Sequence, residues 1–218
     1  MVNKLSAKVV EKRNLASRFW LYKLEFESDF SYEAGQYVSV KVNEAGLRRS
    51  YSIASRSSGT TIELLVDIGP GGPGSIYFSK LMVSESVEVM GPVGRFVLKK
   101  ESGKKKLFIA TGSGIAPIRA MVQECDACGI QRKLIWGMRY ESDLFWQDDL
   151  KAELVLSKPT ETWQGEKGHV GDMVTDDLTG WEVYLCGNEA MVGEMVEKVK
   201  GLGVMETDIS FEKFGPPR

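Results

Sequence analysis

The periodicity of the chain changes once, at Gly103-Lys-Lys-Lys106, and that change limits the folds open to it. Ahead of this point apolar and polar residues alternate over short runs. Trp20, Tyr22, Leu24 and Phe26 share one face of the first run. Val38, Val40 and Val42 share another, Ile62, Leu64, Val66 and Ile68 a third, and Val87 and Val89 a fourth. Gly35, Gly46, Gly59 and Gly91-Pro92 separate the runs. Short alternating strands with glycine-rich turns predict an antiparallel barrel or sandwich. Past the lysines, strands are expected over 107–110, 133–137, 154–156, 183–186 and 208–214. Helical periods fall over 118–127, over 142–150 with Ser142 as cap, and over 190–202, where Met191, Val192, Met195, Val196, Val199 and Leu202 share a face. That alternation predicts a parallel, doubly wound sheet. The expected architecture is an N-terminal antiparallel β-barrel domain, residues 1–102, followed by a doubly wound α/β domain, residues 103–218. The lysine run between them is expected to be a solvated connector.

Composition narrows the function. A formal net charge of −2 gives no basic footprint for nucleic acid. No run approaches the roughly 18 apolar residues that span a bilayer, and Met1-Val-Asn-Lys-Leu5 has no secretory apolar core. Three cysteines, an odd count, suit a reducing compartment, so a cytoplasmic protein is expected. They are also too few to ligate an iron–sulfur cluster on their own. Cys125-Asp-Ala-Cys128 has redox spacing but falls late in a helix, away from the N-terminus that would stabilise a thiolate. His169, the only histidine, is expected in a loop and cannot build a multi-histidine metal site.

Three stretches carry chemistry. On the strand Arg49-Ser-Tyr-Ser52, Arg49 and Tyr51 share a face. A guanidinium fork beside a phenol ring suits a ligand with both a phosphate and a flat ring. Ser52 adds a hydroxyl able to reach a ring nitrogen. Gly69-Pro-Gly-Gly-Pro-Gly-Ser75 precedes a short helix, with Ser75 as its expected cap. It is either a pyrophosphate cradle at a helix N-terminus or a surface loop. Ala110-Thr-Gly-Ser-Gly-Ile-Ala-Pro117 follows the first strand of the second half, where nucleotides bind in such sheets; Pro117 suits the first helical position. It is neither a Walker loop nor a full G-x-G-x-x-G.

In this order, with Gly35-Gln-Tyr37, Gly91-Pro-Val-Gly-Arg-Phe96, Gly137-Met-Arg139, Cys186-Gly187, Met191 and Glu212-Lys-Phe214, these motifs resemble the ferredoxin–NADP reductase superfamily along nearly the whole chain. The resemblance implies an FAD-dependent NAD(P)H oxidoreductase. It puts Arg49 on flavin phosphate, Tyr51 against the isoalloxazine and Ser52 near flavin N5. It implies that Gly72, Gly74, Ser75 and Ile76 cradle the pyrophosphate, with Ser50, Val66 and Ile68 also in the cofactor site. Thr111, Gly112, Gly114, Pro117, Arg139, Gly187 and Met191 would hold the nicotinamide nucleotide. Ser52, Cys186 and Glu212 would border hydride transfer, and Phe214 would cover the other flavin face. Ala34 and Asn188 stand where the family often has proline. The tail after Phe214 is expected to be too short to cover an adenine.

Several alternatives stay open at this stage. The acceptor is expected to be ferredoxin, flavodoxin, an oxygenase component or free flavin. FMN is an alternative to FAD, and a non-catalytic subunit of an electron-transfer complex is an alternative to an enzyme. Arg139, then Lys167, are the cations available to an NADPH phosphate, with a slight lean toward NADH.

Overall fold

The computed structural model describes residues 4–215; the expectation about the tail, 215–218, falls outside them for all but Gly215. The first half holds β1 (Lys4–Ala16), β2 (Phe19–Phe26), β3 (Tyr37–Lys41), β4 (Arg48–Ser52), β5 (Thr61–Asp67), helix α1 (Pro73–Lys80) and β6 (Ser86–Val93). Its strands form one antiparallel sheet in the order β4-β3-β6-β1-β2-β5. An antiparallel bridge between Ile53, just past β4, and Leu64 on β5 joins the two edges into a barrel. Tyr22, Leu24, Val38, Val40, Ile62, Leu64, Val66, Val87 and Val89 fill it, matching the alternation in the sequence.

Helix α1 lies over the barrel and buries Phe78 completely. The Phe78 ring meets Tyr22 and Tyr51 edge-on, at centroid distances of 4.9 and 4.7 Å, the geometry that aromatic quadrupoles favour. The Tyr22 hydroxyl donates to the Phe78 carbonyl.

The second half holds β7 (Lys105–Thr111), α2 (Ile115–Cys128), β8 (Arg132–Met138), α3 (Gln147–Leu150), β9 (Glu153–Leu156), β10 (Glu166–Lys167), β11 (Trp181–Asn188), α4 (Glu189–Gly201) and β12 (Ile209–Phe214). All its strand pairs are parallel, in the order β10-β9-β8-β7-β11-β12. The winding reverses between β7 and β11, and ligands of such sheets bind at the carboxyl ends flanking that reversal.

The two halves share a core. Phe19, Ala54, Leu65, Phe96 and Leu98 from the barrel pack with Ile115, Ala116, Ile118, Met121 and Phe145. Polar clasps rim this seam. Arg119 Nη1 donates to the Ala54 carbonyl at 2.6 Å and to Glu63 Oε2 at 2.5 Å, and Arg56 pairs with Glu124 at 2.6 Å.

Four expectations are corrected. The lysine run is no solvated connector: Lys106 is 0% exposed, with its ammonium 2.5 Å from Glu182 and 2.6 Å from Ser102 Oγ. Lys104 pairs with Asp208 at 2.7 Å. The 142–150 helix is reduced to the single turn of α3. Trp146 takes a left-handed φ of +57° there, so that Phe145 and Trp146 pack as a T-shaped pair, and Ser142 caps nothing. Helix α1 is capped by Gly72 with Pro73 in its first turn, leaving Ser75 inside the helix. Helix α2 starts at Ile115, so Pro117 takes its third position, where a missing N–H still costs no helical bond.

Candidate active site

A cleft of about 640 Å³ opens along the seam, within the size range of cofactor sites. Its barrel wall includes Arg49, Ser50, Tyr51, Ser52, Gly72, Gly74 and Ser75. Its far wall carries Ser113, Ala116, Glu212 and Phe214. The strand period of two explains β12: Glu212 and Phe214 share the inward face, while Phe211 and Lys213 point to solvent.

Tyr51 is held from two sides. Phe78 meets its ring, and a Cβ built on Gly74 would sit 2.2 Å from its hydroxyl. Glycine at 74 is therefore required for α1 to come down onto Tyr51. The N-terminus of α1 then faces the cleft through Gly74 and Ser75, whose N–H groups belong to the unpaired first turn. Ile76 does not join them. Its N–H donates to the Gly72 carbonyl at 2.9 Å, and its side chain, 51% exposed, lines a separate groove.

Ser52 is the bridge across the seam. Its hydroxyl lies 3.5 Å from Glu212 Oε2. Burial pushes the Glu212 carboxyl up to about 6, against the lowering effect of that hydroxyl. Cys186 pairs in register with Glu212 on the neighbouring strand. It is fully buried in the core and does not line the cleft, and burial, then the Glu212 charge, hold its thiol well above the ordinary range.

The carboxyl ends of β7 and β11 bring Thr111, Gly112, Gly114, Cys186 and Gly187 together. Gly187 has φ +155°, and a Cβ there would lie 2.1 Å from Thr111 Oγ1; one on Gly114 would lie 2.3 Å from the Cys186 carbonyl. These two glycines thus serve close approach of chain to chain, whereas the space above Gly112 is open. Thr111 Oγ1 is buried with no hydrogen-bond partner among the described residues. A buried hydroxyl left unpaired is costly, and a ligand amide or phosphate at this strand end would satisfy it. Asn188 caps α4 by accepting from the Met191 N–H at 2.9 Å, which places the buried Met191 against Gly187.

Among the remaining expected site residues, Val66 is buried in the barrel core, and Ile68, past the end of β5, packs at its margin. Pro117 is buried in α2. Arg139 is exposed just beyond β8, outside the seam cleft. Cleft residues the sequence did not single out include Arg48, Leu65, Asp67, Pro70 and Ser113. Ser113 lies inside a glycine-rich stretch already marked, and Asp67 stands at the end of an alternating strand. Cys125 is buried late in α2, and burial pushes its thiol up to about 12, which is unsuited to redox exchange.

The cleft fits a flavin dinucleotide. It offers an aromatic wall, a guanidinium and an unpaired helix N-terminus in sequence, facing a nucleotide-type strand end with an orphaned hydroxyl. Comparison with known proteins gives the same answer. Residues 6–98 match the oxidoreductase FAD-binding domain and residues 108–197 the oxidoreductase NAD-binding domain. Ferredoxin–NADP reductase B of Sorangium cellulosum is 31% identical over 85% of this chain and 86% of its own length. The reductase component of naphthalene 1,2-dioxygenase/salicylate 5-hydroxylase systems from Ralstonia is 29% identical over 89% of this chain, which spans 64% of that protein. The crystal structure of the Amycolatopsis cytochrome P450 reductase GcoB superposes with a TM-score of 0.91 at 28% identity, covering 100% of this chain and 71% of that one. The chain belongs to the ferredoxin–NADP reductase family of flavin- and pyridine-nucleotide-dependent oxidoreductases.

Proposed function

We infer that this chain is an FAD-dependent NAD(P)H oxidoreductase that takes a hydride from NAD(P)H and passes electrons to a separate acceptor protein. One observation carries this reading: Ser52 from the barrel and Glu212 from the parallel sheet meet at 3.5 Å in a cleft between an FAD-type half and an NAD-type half. Bound FAD supplies a hydride acceptor that can release its electrons one at a time, which no side chain can do.

The protein's part is placement and electrostatics. Arg49 and the Gly74 and Ser75 N–H groups hold the phosphates. Tyr51 and Phe214 border the flat ring. Thr111 and the open space over Gly112 receive the nicotinamide nucleotide, with Phe214 yielding its place as that ring enters. Holding reacting atoms at contact distance contributes much of the acceleration. Ser52, whose one hydroxyl proton points to Glu212 at 3.5 Å, would turn that proton to the ring edge when the ring is bound. Glu212, with its carboxyl near 6, is able to hold or release a proton at that edge close to neutral pH.

The acceptor class, ferredoxin or an oxygenase component, is proposed from relatives such as the Sorangium and Ralstonia proteins. We propose the division at 102/103 as the boundary between the two functional halves. We place the protein in the cytoplasm, where Cys125, Cys128 and Cys186 stay free; among the described residues no helix is long and apolar enough to cross a membrane. The test is to release and identify the cofactor by mass spectrometry, then assay NADH and NADPH oxidation with ferricyanide, cytochrome, ferredoxin and free flavin. FAD with turnover on a protein acceptor supports the reading. A protein that takes up no flavin overturns it.

A further inference from the structure

Arg119 stands where three parts of the site's frame meet. It lies one helical turn into α2, directly after the Gly112–Gly114 turn at the nucleotide end of the seam. Its Nη1 reaches across to the barrel, to the Ala54 carbonyl at 2.6 Å and Glu63 Oε2 at 2.5 Å. Ala54 comes two residues after Ser52, and its N–H donates to the Glu63 carbonyl at 2.7 Å. One guanidinium nitrogen thus grips both sides of the Ile53–Leu64 bridge that closes the barrel. The same guanidinium lies 4.2 Å from the Trp146 ring centroid. Trp146 meets Phe145 edge-on, and Phe145 touches Phe19 of the barrel at 5.0 Å and Trp136 at 5.1 Å. Trp136 Nε1 donates to the Gly112 carbonyl at 3.2 Å, which ties this aromatic set back to the nucleotide turn.

We propose that Arg119 is a positioning residue for hydride transfer: it fixes the barrel segment carrying Ser52 against the turn that receives the nicotinamide nucleotide, and so sets the separation of the two reacting rings. The inference rests on the oxidoreductase reading above and adds to it a residue outside the cleft lining.

The apolar seam cannot set that separation alone. Apolar contacts are non-directional and hold two halves together without fixing how they sit. Hydrogen bonds from a guanidinium are directional, and stacking on Trp146 fixes its plane. The Arg119 side chain is 15% exposed and that of Glu63 21%, so water screens their pairing little. The Arg56–Glu124 clasp differs. It lies farther along α2, and Arg56 is 51% exposed, where an ion pair contributes little. A misplacement of about 1 Å can cost about 100-fold in rate. Losing the Arg119 clasp is therefore felt in the hydride step, while each half keeps its own ligand contacts.

Anaerobic stopped-flow reduction of the FAD-loaded protein over a range of nucleotide concentrations tests this, since it separates the limiting rate from the nucleotide Kd. Arg119→Met is expected to lower the limiting rate at least tenfold, with FAD affinity and nucleotide Kd within twofold of wild type. Arg56→Ala, which cuts the other clasp, should keep all three within twofold. If Arg119→Met folds poorly, Glu63→Gln carries the test: it keeps the shape, weakens the same clasp and should slow reduction at least threefold with both affinities unchanged. A limiting rate within twofold of wild type in the folded variant overturns the proposal. So does a fall in either affinity as large as the fall in rate, or an equal loss in Arg56→Ala, since any loosening of the seam would then suffice. A wild-type protein that binds FAD and is reduced by neither nucleotide overturns the oxidoreductase reading and this role together.

Discussion

Ser52 and Glu212 are 160 residues apart in sequence and 3.5 Å apart in space, one contributed by each half of the molecule. Neither side chain is remarkable alone. Their meeting makes the seam a site, because a polar pair is left facing a cleft whose remaining walls are aromatic, glycine-rich and cationic.

The titration of Glu212 follows from its burial. Its carboxyl titrates at about 6 when folded and near 4.3 when unfolded. Between these values the folded state holds more protons, so this group's contribution to stability falls as pH rises through that window and stays low above it. The size is at most about 2 kcal/mol. Thermal melts from pH 4 to 7 should show Glu212→Gln losing that slope, and a kcat/KM inflection near pH 6 should vanish with it.

Gly74→Ala separates packing from helix propensity. In an exposed helix interior this change stabilises by about 1 kcal/mol. Here the new methyl meets the Tyr51 hydroxyl, and Tyr51 cannot retreat past Phe78. The expected result in a flavin titration is at least a tenfold loss of FAD affinity, with no gain in melting temperature.

Thr111→Val keeps the shape and removes the unpartnered hydroxyl. Denaturant unfolding without nucleotide should show the variant unchanged or more stable, by about 1 kcal/mol at most. The KM for the nicotinamide nucleotide should rise at least fivefold, while FAD affinity is unchanged.

Lys106→Met leaves Glu182 buried without its ion-pair partner beside the Tyr184 hydroxyl. Breaking such a pair from one side costs about 3–5 kcal/mol. Urea unfolding should show that loss, and the double change Lys106→Met/Glu182→Leu should recover most of it.

The parts of the fold that were legible in the sequence are those where one period holds over a whole element. Strand β2 is an example: its alternation put Trp20, Tyr22, Leu24 and Phe26 on one face, the face that packs into the barrel core. Strand β1 passed unnoticed because register shifts at Val9/Glu11 and Asn14/Ala16 break its alternation and charges crowd its outer face. Lys106 read as solvated because its partner, Glu182, lies 76 residues away. The 142–150 segment failed as a helix because the aromatic packing of Phe145 and Trp146 overrides its local pattern. At the site, Arg49, Tyr51 and Ser52 were legible from strand spacing. Ile76 was not, since its N–H is spent inside α1 and only the helix phase turns its side chain away from the cleft.

The most direct measurement is anaerobic stopped-flow reduction of the FAD-loaded protein by NADH and by NADPH, followed at the flavin absorbance. The account predicts complete bleaching by about one equivalent of the preferred nucleotide, and at least tenfold slower reduction in Ser52→Ala with FAD still bound. A protein that holds FAD and stays oxidised with either nucleotide would contradict it.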